Sequence, residues 1–250
     1  MDLWKWLAVA AAAVVSLLVF VGWIQRPGPA TPPSDHGQLE SGTFAIEQAG
    51  APLGKEDFFL STADQQVDLH STVTLTLAGQ SARFTQRLRL SKDLKPIRYF
   101  RDASAAQSTN TVLMEVETDE VRLNLFVGGQ AQERRFSPEE PYVILDQDVY
   151  SHYLLLFRMI QAQEGLGTTL TGMAIVPQSL ATHTIKAGPA TNSTLRSGDQ
   201  GLVVDKRTVT VGNAQVFLYS RQDTLIAVSL PERGIFAYRS DLFSAGLEEL

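Results

Sequence analysis

Strict alternation of apolar and polar residues is the clearest signal in the chain. Over residues 67–77, Val67, Leu69, Val73, Leu75 and Leu77 fall on one side, while Asp68, His70, Thr72, Thr74 and Thr76 fall on the other. Successive side chains of a strand point to opposite faces, so a period of two marks a half-buried antiparallel strand. Ala78-Gly79-Gln80-Ser81 turns the chain into 82–90, where Phe84, Leu88 and Leu90 alternate with Arg83, Arg87 and Arg89. The two segments predict a hairpin. Similar patterns predict strands at 43–48, 56–61, 97–101, 111–118, 121–126 and 131–136. A second series follows at 168–176, 181–186, 191–196, 202–211, 215–220, 225–230 and 235–239. Gly128-Gly129, Gly212-Asn213 and Pro231-Glu232-Arg233-Gly234 supply turns between them. Many short strands with little helix between them predict a mainly β fold, a large antiparallel meander curled into a barrel or half-barrel. The two series are read as halves of one curved sheet rather than two subdomains, because neither half looks able to close a core alone.

One segment breaks the alternation. Asp146-Gln147-Asp148 offers a cap for a helix over about 149–163, stopped by Gly165. Its apolar residues, from Val149 and Tyr150 to Met159 and Ile160, cover more than the single stripe of a surface helix. The helix is therefore expected to be buried on most sides, across or inside the concave face of the sheet. Two readings stand: it fills the hollow as core, or it forms the lid or floor of a cavity for an apolar ligand. On the second, the ligand-binding residues are Tyr153, Leu156, Phe157 and Ile160 from the helix, with Phe84 and Leu88 from the sheet.

The N-terminus follows a different rule. Residues 6–24 form an uncharged, largely apolar run of 19 residues, close to the ~20 that span a bilayer as a helix. Trp4 and Trp6 stand at one end and Trp23 at the other, where indoles favour the membrane–water interface. Residues 1–25 are read as an uncleaved transmembrane signal anchor. The alternative is a cleaved signal peptide cut near Gly28-Pro29-Ala30, although such peptides have shorter apolar regions of ~7–15 residues. The short N-terminal tail places the N-terminus in the cytoplasm and the remainder outside it. Pro27, Pro29, Pro32 and Pro33 make 26–40 an extended linker. The extracytoplasmic β domain then occupies 41–241. An apolar and acidic tail, 242–250, suits either docking or fraying.

Composition narrows the function. The chain has 250 residues, 44% of them hydrophobic, and a formal net charge of −6, which offers no basic excess for nucleic acid. The absence of cysteine excludes disulfides, thiolate metal sites and a lipoprotein lipobox. Of the four histidines, His36 lies in the linker, and of the others His70 has Asp68 two residues before it and His152 has Asp148 four before it; a local ion pair or capping role is expected for Asp148 and His152. Glu115 and Glu117 share a strand face and are read as part of a wet surface. There is no nucleophile elbow, phosphate loop or dinucleotide fingerprint. No catalytic residue, metal or cofactor is predicted.

Phe44-Ala45-Ile46-Glu47 followed by Pro52-Leu53-Gly54-Lys55-Glu56 resembles the opening hairpin of several uncharacterised bacterial envelope β-meander domains. Val143-Ile144-Leu145-Asp146 before the helix, and residues 225–238 with their Leu-Pro step, fit the same layout. More distantly, the layout is similar to the periplasmic lipoprotein-carrier half-barrels of the LolA, LolB and LppX kind. There a curved sheet and covering helices enclose acyl chains. The missing lipobox departs from the lipoprotein members, and no functional residue carries over. The resemblance implies a membrane-anchored binding module for a lipid or other apolar ligand, in envelope transport or maintenance. The alternative expectation is a non-enzymatic scaffold that meets a protein partner in the envelope.

Overall fold

The computed structural model describes residues 37–249, apart from 64, 78, 106, 107, 118 and 119. The predicted anchor and most of the linker lie outside the described residues. Among the described residues, no helix is long and apolar enough to cross a membrane.

The first series of strands forms an uninterrupted antiparallel meander: β1 (Gln38–Gln48), β2 (Ala51–Ala63), β3 (Gln66–Leu77), β4 (Gln80–Ser91), β5 (Pro96–Ala105), β6 (Ser108–Glu117), β7 (Glu120–Val127) and β8 (Gln130–Phe136). Then come β9 (Tyr142–Ile144), helix α1 (Ser151–Gly165) and β10 (Thr171–Val176), with β10 parallel to β9. The second meander is β11 (Ala181–Ser197), β12 (Gln200–Val211), β13 (Ala214–Arg221), β14 (Thr224–Leu230) and β15 (Ile235–Arg239), with a two-residue β16 (Glu248–Glu249) beside β11. β1 pairs with β15, placing Ile46 opposite Ala237, so the two series form one sixteen-stranded sheet.

The mainly β class with one helix is as expected, but the sheet is not closed. Its order runs from β8 through β1 and β15 to β9, and no ladder joins β8 to β9. The reason lies in the edge strands. β9 has three residues, and β8 exposes Gln130 to Arg135 while carrying Glu133, Arg134 and Arg135. A charged edge of this kind resists further pairing.

Several element boundaries differ from the alternation pattern. Residues 181–186 and 191–196 belong to one strand, β11, which continues through a register shift between Ala187 and Ala190. β10 starts three residues later than expected because Thr168 closes the helix, its N–H and its hydroxyl each 3.0 Å from the Gln163 carbonyl. The helix starts at Ser151, and Tyr150 in the cap position makes no side-chain cap. Asp148 instead takes a positive φ of 66° and pairs with Arg233.

Helix α1 lies in the hollow of the sheet. Tyr153, Leu154, Leu155, Leu156, Phe157 and Ile160 join one continuous core with Phe44, Phe58, Leu69, Leu88, Met114 and Leu123. Its C-terminal half is tied to the wall by Arg158 to Glu40 (2.7 Å) and by Arg207 to Glu164 (2.8 Å). A second, smaller core lies on the other face of β13–β15, since Leu218 and Val228 enter the main core while Tyr219 and Ala227 enter the second. Leu195, Val204 and Leu247 cover it. The C-terminal segment is thus packed on its own sheet. Glu249 accepts hydrogen bonds from Lys206 (3.0 Å) and the Tyr219 hydroxyl.

Candidate functional site

Two features could carry function, one at each end of α1. At its start is a buried polar band. Glu56 stands on β2 in frame with Phe58 and Leu60, so the pleat turns its carboxylate inward with them. It accepts the N–H groups of Tyr150 (2.6 Å) and Ser151 (3.1 Å) and the Ser151 hydroxyl (2.5 Å). The first N–H groups of a helix have no partner within it, and a carboxylate there also suits the helix dipole. Burial raises the Glu56 pKa, while the hydrogen bonds from Ser151 and Ser71 oppose that rise. On β4, Gln86 Nε2 donates to Ser71 Oγ at 3.2 Å, and Gln86 stands opposite Arg101 of β5.

Asp146 is the centre of this band. It accepts Arg101 Nη1 (2.9 Å), the Tyr99 hydroxyl and Gln178 Nε2. Its backbone N–H donates to His152 Nδ1 (3.1 Å), which assigns the remaining ring proton of the neutral imidazole to Nε2. Burial pushes the Asp146 carboxyl up to about 7, against Arg101 and Tyr99, which favour its charged form. Burial pulls His152 down to about 3, and the nearby Arg101 charge adds to this. Burial and the Asp146 charge hold the Tyr99 hydroxyl well above its ordinary range. Glu56, Ser151, His152 and Asp146 are each shut off from solvent. The geometry fixes the helix start and bridges the ends of the sheet, because Tyr99 and Arg101 belong to β5 while Gln178 follows β10. Tyr142 to the Pro96 carbonyl (3.2 Å) and Arg134 to the Leu180 carbonyl cross the same gap.

At the other end of α1 a half-open cavity of about 400 Å³ lies between the helix, the β4–β5 turn and the segment leading into β9. Leu94, Pro141, Tyr142, Met159 and Ala162 give it an apolar floor, and Asp93, Lys95, Glu140 and Gln163 give it a polar rim. The floor is the surface of the main core, to which Tyr142 belongs and against which Leu94 and Met159 pack. One wall depends on Gly172. A Cβ there would meet the Pro141 carbonyl oxygen at 2.1 Å, so only glycine lets β10 lie so close to Pro141. Met173 N–H then bonds that same carbonyl at 2.9 Å. Across the mouth, Lys95 Nζ reaches both Glu140 carboxylate oxygens, at 2.8 and 2.6 Å.

The six residues expected to bind ligand, Tyr153, Leu156, Phe157, Ile160, Phe84 and Leu88, are all buried and belong to the main core. None of them lines the cavity, whose helix residues are Met159, Ala162 and Gln163. The expected Asp148–His152 pairing is corrected: His152 accepts from the Asp146 backbone and Asp148 turns outward to Arg233. Glu115 sits between Arg98 (3.6 Å) and Arg122 (3.8 Å) in a partly exposed ion-pair ladder that also holds Glu117. Glu56 and Gln86 went unnoticed in the sequence although a signal was present. Each is a polar residue occupying an apolar position of its strand's alternation, Gln86 between Phe84 and Leu88, and Glu56 two before Phe58. The rim residues Asp93, Lys95 and Glu140 come from connections and leave no periodic trace.

No family model matches the chain, and no curated protein matches it. Among solved structures it is similar to the crystal structure of a β-barrel-like protein of a domain of unknown function, DUF1849, from Brucella abortus. The TM-score is 0.48 at 7% sequence identity, covering 79% of this chain and 93% of that one.

Proposed function

We propose that this chain is a membrane-anchored, extracytoplasmic binding module for an apolar or amphiphilic ligand, serving envelope transport or maintenance by binding alone, without catalysis. The carrying observation is the half-open cavity of about 400 Å³ whose floor is the exposed surface of the core. Ligand sites are typically concave, mostly apolar and placed at the mouths of barrels, with a few polar groups that fix orientation. The apolar run of residues 6–24 supports a place at a membrane surface. In this reading the domain works in the manner of the lipoprotein-carrier half-barrels its layout resembles. A ligand first lies along Leu94, Met159 and Ala162, and reaches Tyr153, Leu156, Phe157, Ile160, Phe84 and Leu88 only when α1 shifts.

The second reading, an envelope scaffold with a protein partner, is favoured by one observation: the buried residues of α1 belong to the main core, and so do all six expected ligand contacts. Native mass spectrometry on the full chain, taken from its own membranes in mild detergent, separates the two. The binding reading expects a discrete lipid mass that organic extraction removes and that Ala162→Trp, which fills the mouth, reduces strongly. A bare protein mass after incubation with total membrane lipid would sink it and leave the scaffold.

A further inference from the structure

The rim of the mouth selects what its floor can hold. Asp93 and Glu140 set two negative charges around the cavity against the single positive charge of Lys95. Lys95 is already committed, because both Glu140 oxygens hold it. Among the described residues Asp93 has no ionic partner, so its carboxylate is left facing solvent at the opening. An incoming anion would have to draw Lys95 away from Glu140 and would then sit beside two carboxylates. A cation meets Asp93 directly, with the Lys95–Glu140 pair intact. The floor sets the other half of the ligand. An apolar cavity of ~150 Å³ accommodates a benzene ring, and about 400 Å³ suits one alkyl chain better than two.

We infer that the mouth takes a single-chain amphiphile with an amine headgroup, its ammonium at Asp93 and its chain along Leu94, Met159 and Ala162. The inference rests on the binding-module reading and names the ligand class of that same site. The chain carries four methionines, of which Met159 lines the mouth while Met114 and Met173 do not. Their methyl groups make the test local. The full chain, labelled with methyl-¹³C methionine and held in zwitterionic lipid nanodiscs, is titrated below micelle formation with decylammonium, decanol and decanoate, each corrected for uptake by empty discs.

Decylammonium is expected to shift the Met159 methyl signal at about fivefold lower concentration than decanol, with decanoate weaker again. That is the size of effect one contact with an exposed charge supplies. Asp93→Asn is expected to remove most of the amine preference while leaving decanol unchanged. Equal affinities for the three ligands, or an amine preference that survives Asp93→Asn, would overturn the headgroup assignment and leave the binding reading standing. If none of the three moves Met159, the mouth is no binding site and both readings fall together.

Discussion

Asp146 and His152 titrate in opposite senses inside one hydrogen-bonded unit, so each hides the other. The folded Asp146 holds its proton up to about 7, against 3.8 for the ordinary carboxyl. The folded chain therefore binds more protons than the unfolded one between those values, and this group's contribution to stability is lost as pH rises through that window. Glu56, also raised by burial, acts in the same sense. His152 behaves the other way. Its folded value is about 3 against the usual 6.5, so its contribution is present above 6.5 and is lost as pH falls towards 3. Each group can tilt the stability curve by up to about 1.4 kcal/mol per pH unit. Removing one should uncover the other. Relative to the parent chain, Asp146→Asn should make stability rise more steeply with pH between 4 and 6.5, and His152→Gln should make it rise less or fall. Urea midpoints measured across that range decide the matter. Two variants with the same change of slope would show that the residues do not titrate as the buried unit requires.

At the scale of elements, helix α1 decides whether the hollow is core or container. Leu156 is fully buried, and a side chain so placed contributes roughly 1.5–3 kcal/mol by burial. If the helix packs as an integral part of the core, Leu156→Ala should cost about 2–5 kcal/mol, because the tight surroundings cannot collapse into the gap. A loss under about 1 kcal/mol by denaturant unfolding would mean that the helix sits loosely, as a movable lid does. The strands around it were legible in the sequence because one wet face and one dry face impose alternation, and in β3 Val67, Leu69, Val73 and Leu75 are buried, with Ser71 the polar exception on that face. The helix was legible too, but its start was not. A local cap was expected from Asp146 to Asp148, whereas the cap comes from Glu56, 95 positions from Ser151 in the chain. No local pattern reports a partner supplied by another strand. The mouth was illegible for a similar reason: the β4–β5 turn and the segment before β9 meet α1 only after the whole sheet has curled.

At the scale of the molecule, an open sheet must find another way to hold its ends together. The β8 end and the β9 end share no ladder, yet side-chain links span the gap, among them Lys95 to Glu140. Asp146 joins Tyr99 and Arg101 to Gln178, Tyr142 reaches the Pro96 carbonyl, and Arg134 reaches the Leu180 carbonyl. Helix α1 adds a second tie, because its buried side chains share one core with both meanders. The β1–β15 pairing is the third. Three independent connections between the halves argue against separate subdomains and for one cooperative unit, in which only the exposed edge β8 frays early. Hydrogen exchange followed by mass spectrometry in rising denaturant reads each strand separately. Amides of β7 and β13, one from each meander, should lose protection at the same denaturant concentration, with β8 exchanging sooner. Asp146→Ala cuts the central link and leaves the other two ties in place, so it should lower both transitions together. If β7 opened well before β13 in the parent chain, the meanders would be separate folding units and the buried Asp146 band would be only a local clasp between them.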